Sequence, residues 1–375
     1  MIKKHLVDVT QFYARPVRGG IQRVLSQMFK YSQDREDITY FAQSGNLRFL
    51  LNRNALVEVG NTLFSDDEGG AQPDKLRSHL WDANEGIIAE VSIPGTFDHF
   101  VLPELAYRRD VIGRGVYLSS LMPTTAIFYD LFPELVSTPS AMHQHIVGEY
   151  FLSLREYSRV VAISDVARNV YLGRLRPSLS QRVHSDSLGV DHVPSIRPDA
   201  VSSCSTTVVA IASLDPRKRL LELLQAWHLL QAVDHHLLLL PPDGGEERMR
   251  IREMADEVLG GRARWSFIAG QSDSRFWRAL GPGSVFVSLG MEGFGLPALE
   301  ALALGGLVVA DKEMPSVSTL STGRLILVDG TDVEEVAEAF RRSLMMRVEN
   351  DSSIELPLPK WQDFFDVIFE EPPSQ

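Results

Sequence analysis

Short apolar, β-branched runs alternate along this chain with longer stretches in which apolar residues recur every three or four positions. LVDV at 6–9 precedes IQRVLSQMF, VVAI at 160–163 precedes DVARNVYLGRL, and TVVAIA at 207–212 precedes LLELLQAWHLL. Further on come LLLL, SVFVS followed by PALEALAL, LVVA, and LILV followed by VEEVAEAFRRSL. Runs of strand length without polar alternation suit strands buried on both faces, and the periodic segments suit the helices that cover them. The chain therefore reads as βα units around parallel sheets, an α/β fold.

Periodicity lapses in DHVPSIRPDAVSSCST, residues 191–206, where Pro, Ser and polar residues dominate. This predicts an N-terminal domain over 1–191, a linker over 192–205 and a C-terminal domain over 206–345. In the tail, 346–375, Pro357 and Pro359 break the preceding helix, and Trp361, Phe364, Phe365 and Ile368 mark one face of a last helix that returns toward the N-terminal domain. A length of 375 residues agrees with two domains, because single cores stop growing near roughly 250–300 residues.

Composition narrows the function. The single cysteine, Cys204, excludes an internal disulfide framework and suits a reducing compartment. No stretch approaches the roughly 20 apolar residues of a membrane span, and the start MIKKHLVDV has no signal-peptide pattern. A cytoplasmic protein is expected. Net charge is −12, with 21 Lys and Arg against 23 Asp and Glu in residues 1–205 and 16 against 26 thereafter. Such acidity argues against general nucleic-acid binding. Lys3, Lys4, Arg15, Arg18 and Arg23 gather near the start, and that cluster suits a solvated face or peripheral contact with anionic lipid at the inner membrane.

The stretch MEGFGLPALEALALGG, 291–306, carries the chemistry. SVFVS reads as a strand, Leu289 to Leu296 as a loop, Pro297 as the first turn of a helix, and Gly305-Gly306 as its end. Amides of Gly293 to Ala298 then face outward at a helix N-terminus, where an anion or polar oxygen binds. Gly293, Gly295 and Ala298 also satisfy G-x-G-x-x-A, and Asp311 stands where a ribose-binding acid would, which keeps an NAD-dependent oxidoreductase as an alternative. Glu292 beside a pyrophosphate opposes that reading. Glu300, placed in the helix's first turn, suits a ribose diol, and Glu292 suits a sugar hydroxyl or the developing oxocarbenium charge.

Cations come from SLDPRKRL at 213–220. Asp215 caps a helix there, Pro216 opens it, and Arg217, Lys218 and Arg219 fill its first turn against the helix dipole, a placement that makes sense if an anion binds. Guanidinium and ammonium groups match diphosphate oxygens and need no metal.

Together these motifs resemble the donor-binding domain of retaining glycosyltransferases of family four, with the GT-B architecture of two doubly wound Rossmann-like domains facing a cleft. The family's two glutamates separated by seven residues are matched by Glu292 and Glu300. SLDPRKRL is similar to its diphosphate loop TLEPRKN, and WSFIAGQSDSRFWRAL resembles the segment that meets the base near Ile268 and Ala269. More loosely, VDVTQFYARPVRGGIQRVL looks like the opening strand and glycine loop of polysaccharide-synthesis members, with Gly19 and Gly20 near donor phosphate or acceptor. AIFYDLFPEL resembles a strand that ends in His-Asp in many members but in Tyr129-Asp130 here. Ser213 stands where many members carry Arg. The resemblance implies catalytic roles for Glu292, Arg217, Lys218, Tyr129 and Asp130, and donor contacts from Ser213, Gly293, Phe294, Gly295, Leu296 and Glu300. Tyr129 would donate to a donor-sugar hydroxyl.

His143, His145 and His192 lack metal-ligand spacing, and FSDDEGG reads as a solvated loop rather than a calcium site. No P-loop, G-x-S-x-G or H-E-x-x-H occurs. Phe151 and Tyr157 suit an acceptor groove or the core equally. The expectation is a metal-independent, retaining hexosyltransferase without a cofactor, acting on a nucleotide sugar, first GDP-mannose, and on a glycan or lipid-linked glycan hydroxyl in bacterial surface polysaccharide or O-antigen synthesis. A non-catalytic sugar-nucleotide-binding relative is the other alternative.

Overall fold

The computed structural model describes residues 3–65, 72–130, 141–194, 207–231, 234–241, 245–261, 263–268, 273–280, 283–346 and 357–370. The chain forms two compact units, residues 1–189 with 360–375, and residues 190–359.

The first unit is built on an eight-stranded sheet. Its strands are β1 His5–Asp8, β2 Ile38–Ser44, β3 Leu47–Leu51, β4 Asn84–Ile87, β5 His99–Leu102, β6 Thr124–Phe128, β7 Arg159–Ala162 and β8 Arg182–Ser185. The order is β4-β3-β2-β1-β5-β6-β7-β8. Pairing is parallel from β2 through β8, as the βα alternation requires. The sheet departs from the sequence pattern at one edge, where β3 and β4 run antiparallel. The β2–β3 link is only two residues long, and Gly45, at φ +58, supplies its left-handed backbone.

The tail belongs to this unit. Helix Trp361–Phe369 buries Trp361, Phe364, Phe365, Ile368 and Phe369. Tyr31 packs on the Phe365 and Phe369 rings and donates to Asp366 Oδ1 at 2.7 Å. Arg159 closes the helix's far end by donating to the carbonyls of Ile368 and Glu370.

The second unit holds β9 Thr207–Ile211, β10 His236–Leu240, β11 Trp265–Phe267, β12 Ser284–Ser288, β13 Leu307–Asp311 and β14 Leu325–Val328. All pair in parallel, in the order β11-β10-β9-β12-β13-β14. That is the doubly wound 3-2-1-4-5-6 arrangement, whose winding reverses between β9 and β12. Helices Leu220–Leu230 and Val333–Met345 cover it, with Trp227 and Phe340 edge to face at 6.0 Å in the core.

Candidate functional site

Connections from β9 and β12 leave in opposite directions at the reversal, so their carboxyl-end loops leave a crevice between them. The β9 loop folds around Asp215, whose carboxylate accepts from the Arg217 amide at 3.0 Å and closes a single 3-10 turn over Pro216–Lys218. Arg219 then adopts a left-handed backbone, φ 53, and the α-helix starts only at Leu220. The three cations therefore stand ahead of the helix and not in its first turn, because the capped proline turn and the left-handed residue interrupt the helical path.

Arg219 differs from its neighbours in direction. Its guanidinium pairs with the buried Asp311 carboxylate, which also accepts from the amides of Glu313 at 2.9 Å and Gly330 at 3.0 Å. A Cβ on Gly330 would lie 2.5 Å from Arg219 Nη1 and 2.7 Å from the Leu289 carbonyl. Asp311 is thus engaged beneath the loops, which removes the ribose-binding acid from the dinucleotide alternative.

Arg217 and Lys218 meet the β12 loop. Met291 donates its amide to the Arg217 carbonyl at 3.0 Å, and a Cβ on Gly290 would approach the Lys218 Cα to 3.0 Å. Lys218 Nζ forms an ion pair with Glu292 Oε1, both half-buried, while Arg217 folds its Nε onto Asp215 Oδ1 at 3.1 Å. Ser213 Oγ, 3.2 Å from Glu247 Oε1, holds that carboxylate against the Leu214 amide at 2.9 Å. Glu247 has no signal in the sequence, since its partner lies 34 residues away.

Gly295 turns at φ +91 to cap helix Leu296–Ala303, and Pro297 sits in its first turn. Ser316 supports the turn from below, donating its amide to the Phe294 carbonyl and its hydroxyl to the Gly295 carbonyl, each at 2.8 Å. Two expectations need correction. The Ala298 amide donates to the Gly295 carbonyl at 3.2 Å and Pro297 has no N–H, so neither offers a ligand the donor expected of it. Glu300 lies beyond the first turn, buried, with Oε1 2.8 Å from His192 Nε2. Ile268 follows directly on β11, its amide donated to the Leu239 carbonyl at 2.9 Å; Ala269 is outside the described residues.

In the first unit the winding reverses between β1 and β5. Gly19 caps helix Gly20–Tyr31 with extended backbone, close to the Gln22 side chain, and a Cβ at Gly20 would meet open space. Tyr129 is buried at the end of β6, and its hydroxyl donates to the Pro103 carbonyl at 2.7 Å. Burial first, then the Glu104 carboxylate, raises its pKa well above the usual phenol range. Its proton is engaged inward, which corrects its expected role toward the sugar. Asp130 is half-buried beside it. Tyr157 and Phe151 are core residues.

Sequence reading missed the polar groups at this reversal. Arg114 donates to Asp8 Oδ2 at 2.7 and 3.0 Å, both side chains buried, and also reaches Thr10 and Gln43. Glu104 accepts from the Phe12 amide at 3.0 Å, and burial raises its pKa to about 8. For Asp8 and Glu104 the available signal was their position at the end of β1 and just past β5; Arg114, inside helix Arg109–Ser119, gave none.

Among the described residues no group of three or more His, Cys, Asp or Glu could hold a metal ion, and no helix is long and apolar enough to cross a membrane. The His143 side chain and most of FSDDEGG lie outside the described residues; His145 pairs with Glu149 at 3.0 Å.

Residues 198–354 match the profile of the family described as Glycosyl transferases group 1. No curated protein sequence matches the chain. Among solved structures, it is similar to Anabaena Alr3699/HepE in complex with UDP and glucose (TM-score 0.63, 14% identity, 98% of this chain and 100% of that one). It is also similar to sucrose-phosphate synthase from Thermosynechococcus elongatus (0.61, 16%, 91% and 89%) and a UDP-forming trehalose-phosphate synthase from Burkholderia xenovorans (0.57, 13%, 93% and 92%). The likeness shows the fold, which is GT-B, and with the family match the enzyme class is a glycosyl transferase. The matched residues 198–354 contain Arg217, Lys218, Glu292 and Glu300.

Proposed function

We propose that this enzyme transfers a hexose from a nucleotide sugar, with retention of anomeric configuration and without a metal, to a hydroxyl of a glycan acceptor. The observation that carries the reading is the union of the β9 and β12 loops, which sets Lys218 against Glu292 at the winding reversal of the second sheet. Arg217 and Lys218 bind the diphosphate, Glu300 the ribose, and Glu292 with the Gly293–Leu296 amides the sugar. Gly293 and Ser213 shape that pocket's backbone, and Ile268 and Ala269 border the base. Residues 1–191 form the acceptor side, with Gly19 and Gly20 bringing backbone close to the donor phosphate or the acceptor and Asp130 in a catalytic role.

The anomeric C1–O bond to the diphosphate breaks while a C1–O bond to the acceptor forms on the same face. The acceptor's proton passes to the leaving phosphate oxygen, and Arg217 and Lys218 stabilise the charge that develops there. GDP-mannose is the first donor to test, on the PRK loop, and UDP-hexoses are the second, because HepE of the same fold was solved with UDP and glucose. Surface polysaccharide synthesis at the inner face of the bacterial membrane is the setting.

Release of nucleoside diphosphate should be assayed over GDP-, UDP- and dTDP-sugars with glycan acceptors, after a thermal-shift screen of the same ligands. A ligand at a hundred times its dissociation constant stabilises by about 2.7 kcal/mol, so binders are easily seen. Binding of nucleotide sugars without turnover on any acceptor would favour a non-catalytic relative. Saturable NADH binding, with none for nucleotide sugars, would replace the reading by an oxidoreductase.

A further inference from the structure

His192 lies in the turn at the start of the second unit, where Val190 donates to the Pro359 carbonyl and Val193 to the Val190 carbonyl. Its side chain is 2% exposed and that of Glu300 6%. Nε2 stands 2.8 Å from Glu300 Oε1, and a carboxylate accepts but does not donate, so that nitrogen carries the proton. The imidazole also meets the Trp277 ring edge-on at 5.8 Å, which fixes its plane. A glutamate on an eight-residue helix, three bonds from its backbone, is thus held from a segment 108 positions earlier in the chain.

We propose that His192 is a positioning residue for donor binding. Its Nε2–H anchors one oxygen of Glu300, so that the carboxylate plane is already set for the hydroxyls of the nucleotide's ribose. This rests on the assignment of Glu300 to the ribose. Preorganisation of this kind lowers the ordering cost of the contact, and its loss appears as lost discrimination between ribose and deoxyribose, not merely as lost stability.

The test compares H192Q, whose amide nitrogen reaches as far as Nε2, with H192N, whose amide falls short, and with H192F, which keeps the ring but not the donor. Binding of GDP, UDP and their 2′-deoxy counterparts is measured by calorimetry on the full chain, with thermal unfolding as a control. Wild type is expected to favour ribose by at least about tenfold, the scale of one hydrogen bond to a charged group. H192Q should keep that ratio, whereas H192N and H192F should bring it toward unity. Unchanged discrimination in H192N and H192F overturns the proposal. A wild-type enzyme that turns over nucleotide sugars without ribose preference also overturns it, by removing Glu300 from the ribose while glycosyl transfer stands. Failure to bind any nucleoside diphosphate overturns the donor site itself.

Discussion

Lys218 and Glu292 pair across the two loops, and each is half-buried. An ion pair so placed contributes only about 0–1 kcal/mol to folding. Removing a cation aimed at a leaving phosphate costs far more in the transition state, about 3–4 kcal/mol. Lys218→Ala should therefore reduce kcat/KM by about 100- to 1000-fold while the unfolding free energy falls by less than about 1 kcal/mol. Steady-state kinetics beside urea denaturation checks this, and comparable losses in both would make Lys218 structural. Glu104 behaves in the opposite way. Its pKa rises from an ordinary carboxylate value to about 8 on folding, so the folded chain keeps a proton that the unfolded chain releases, and its contribution falls as pH rises between about 4.5 and 8. Burial lowers the pKa of His5 to about 4, which gives the reverse slope between about 4 and 6.5, and it lowers that of His99 in the same direction. Only a difference isolates Glu104. The stability of Glu104→Gln relative to wild type should climb by several kcal/mol from pH 4.5 to pH 8 and then level off; denaturant titrations across that range measure it.

Elements are tied together at the amino edge of the first sheet by a chain of polar side chains. Arg159 Nε donates to Thr125 Oγ1 at 3.0 Å, Thr125 Oγ1 lies 2.8 Å from His99 Nε2, and His99 Nδ1 lies 2.9 Å from His5 Nδ1. Four adjacent strands, β7, β6, β5 and β1, are linked. Thr125→Val keeps the shape and removes the middle link, leaving His99 and Arg159 short of a buried partner, at a cost of about 1–3 kcal/mol read by chemical denaturation. In the second unit the turn at Gly295 is equally constrained. A Cβ there would lie 2.7 Å from the Met314 side chain at a φ of +91. Gly295→Ala should cost about 2–4 kcal/mol, the sum of left-handed strain and overpacking, and should weaken nucleotide binding in the same calorimetric titration.

Across the whole molecule, most of the architecture was legible because parallel strands buried on both faces leave uninterrupted apolar runs, as in Val208–Ala210 and Leu307–Ala310. The antiparallel edge was not legible: Asn84–Ile87 is mostly exposed and carries no apolar pattern. At the candidate site, motif spacing marks the two loops, whereas contacts that depend on distant chain segments leave no local trace. Asp311 with Arg219, Glu300 with His192 and Glu247 with Ser213 are of that kind. The left-handed Arg219 was hidden for another reason, since propensity assigns an arginine to a helix before its partners are known. At this scale Phe365→Ala should destabilise the unit formed by residues 1–189 and 360–375 by about 3–5 kcal/mol and leave residues 190–359 unaffected. Hydrogen exchange resolved by segment distinguishes the two.

The crossing near Gly189 has a temporal consequence. Gly189 lies against the Trp361 backbone, where a Cβ would approach N to 2.0 Å, so the first unit is closed by residues at the far end of the chain. On a tethered nascent chain with residue 359 outside the ribosome and residues 360–375 still inside, everything in residues 190–359 is available to fold, while the unit begun earlier still lacks its last helix. Limited proteolysis of stalled nascent chains should find the later segment protected first: the half synthesised first is the half completed last.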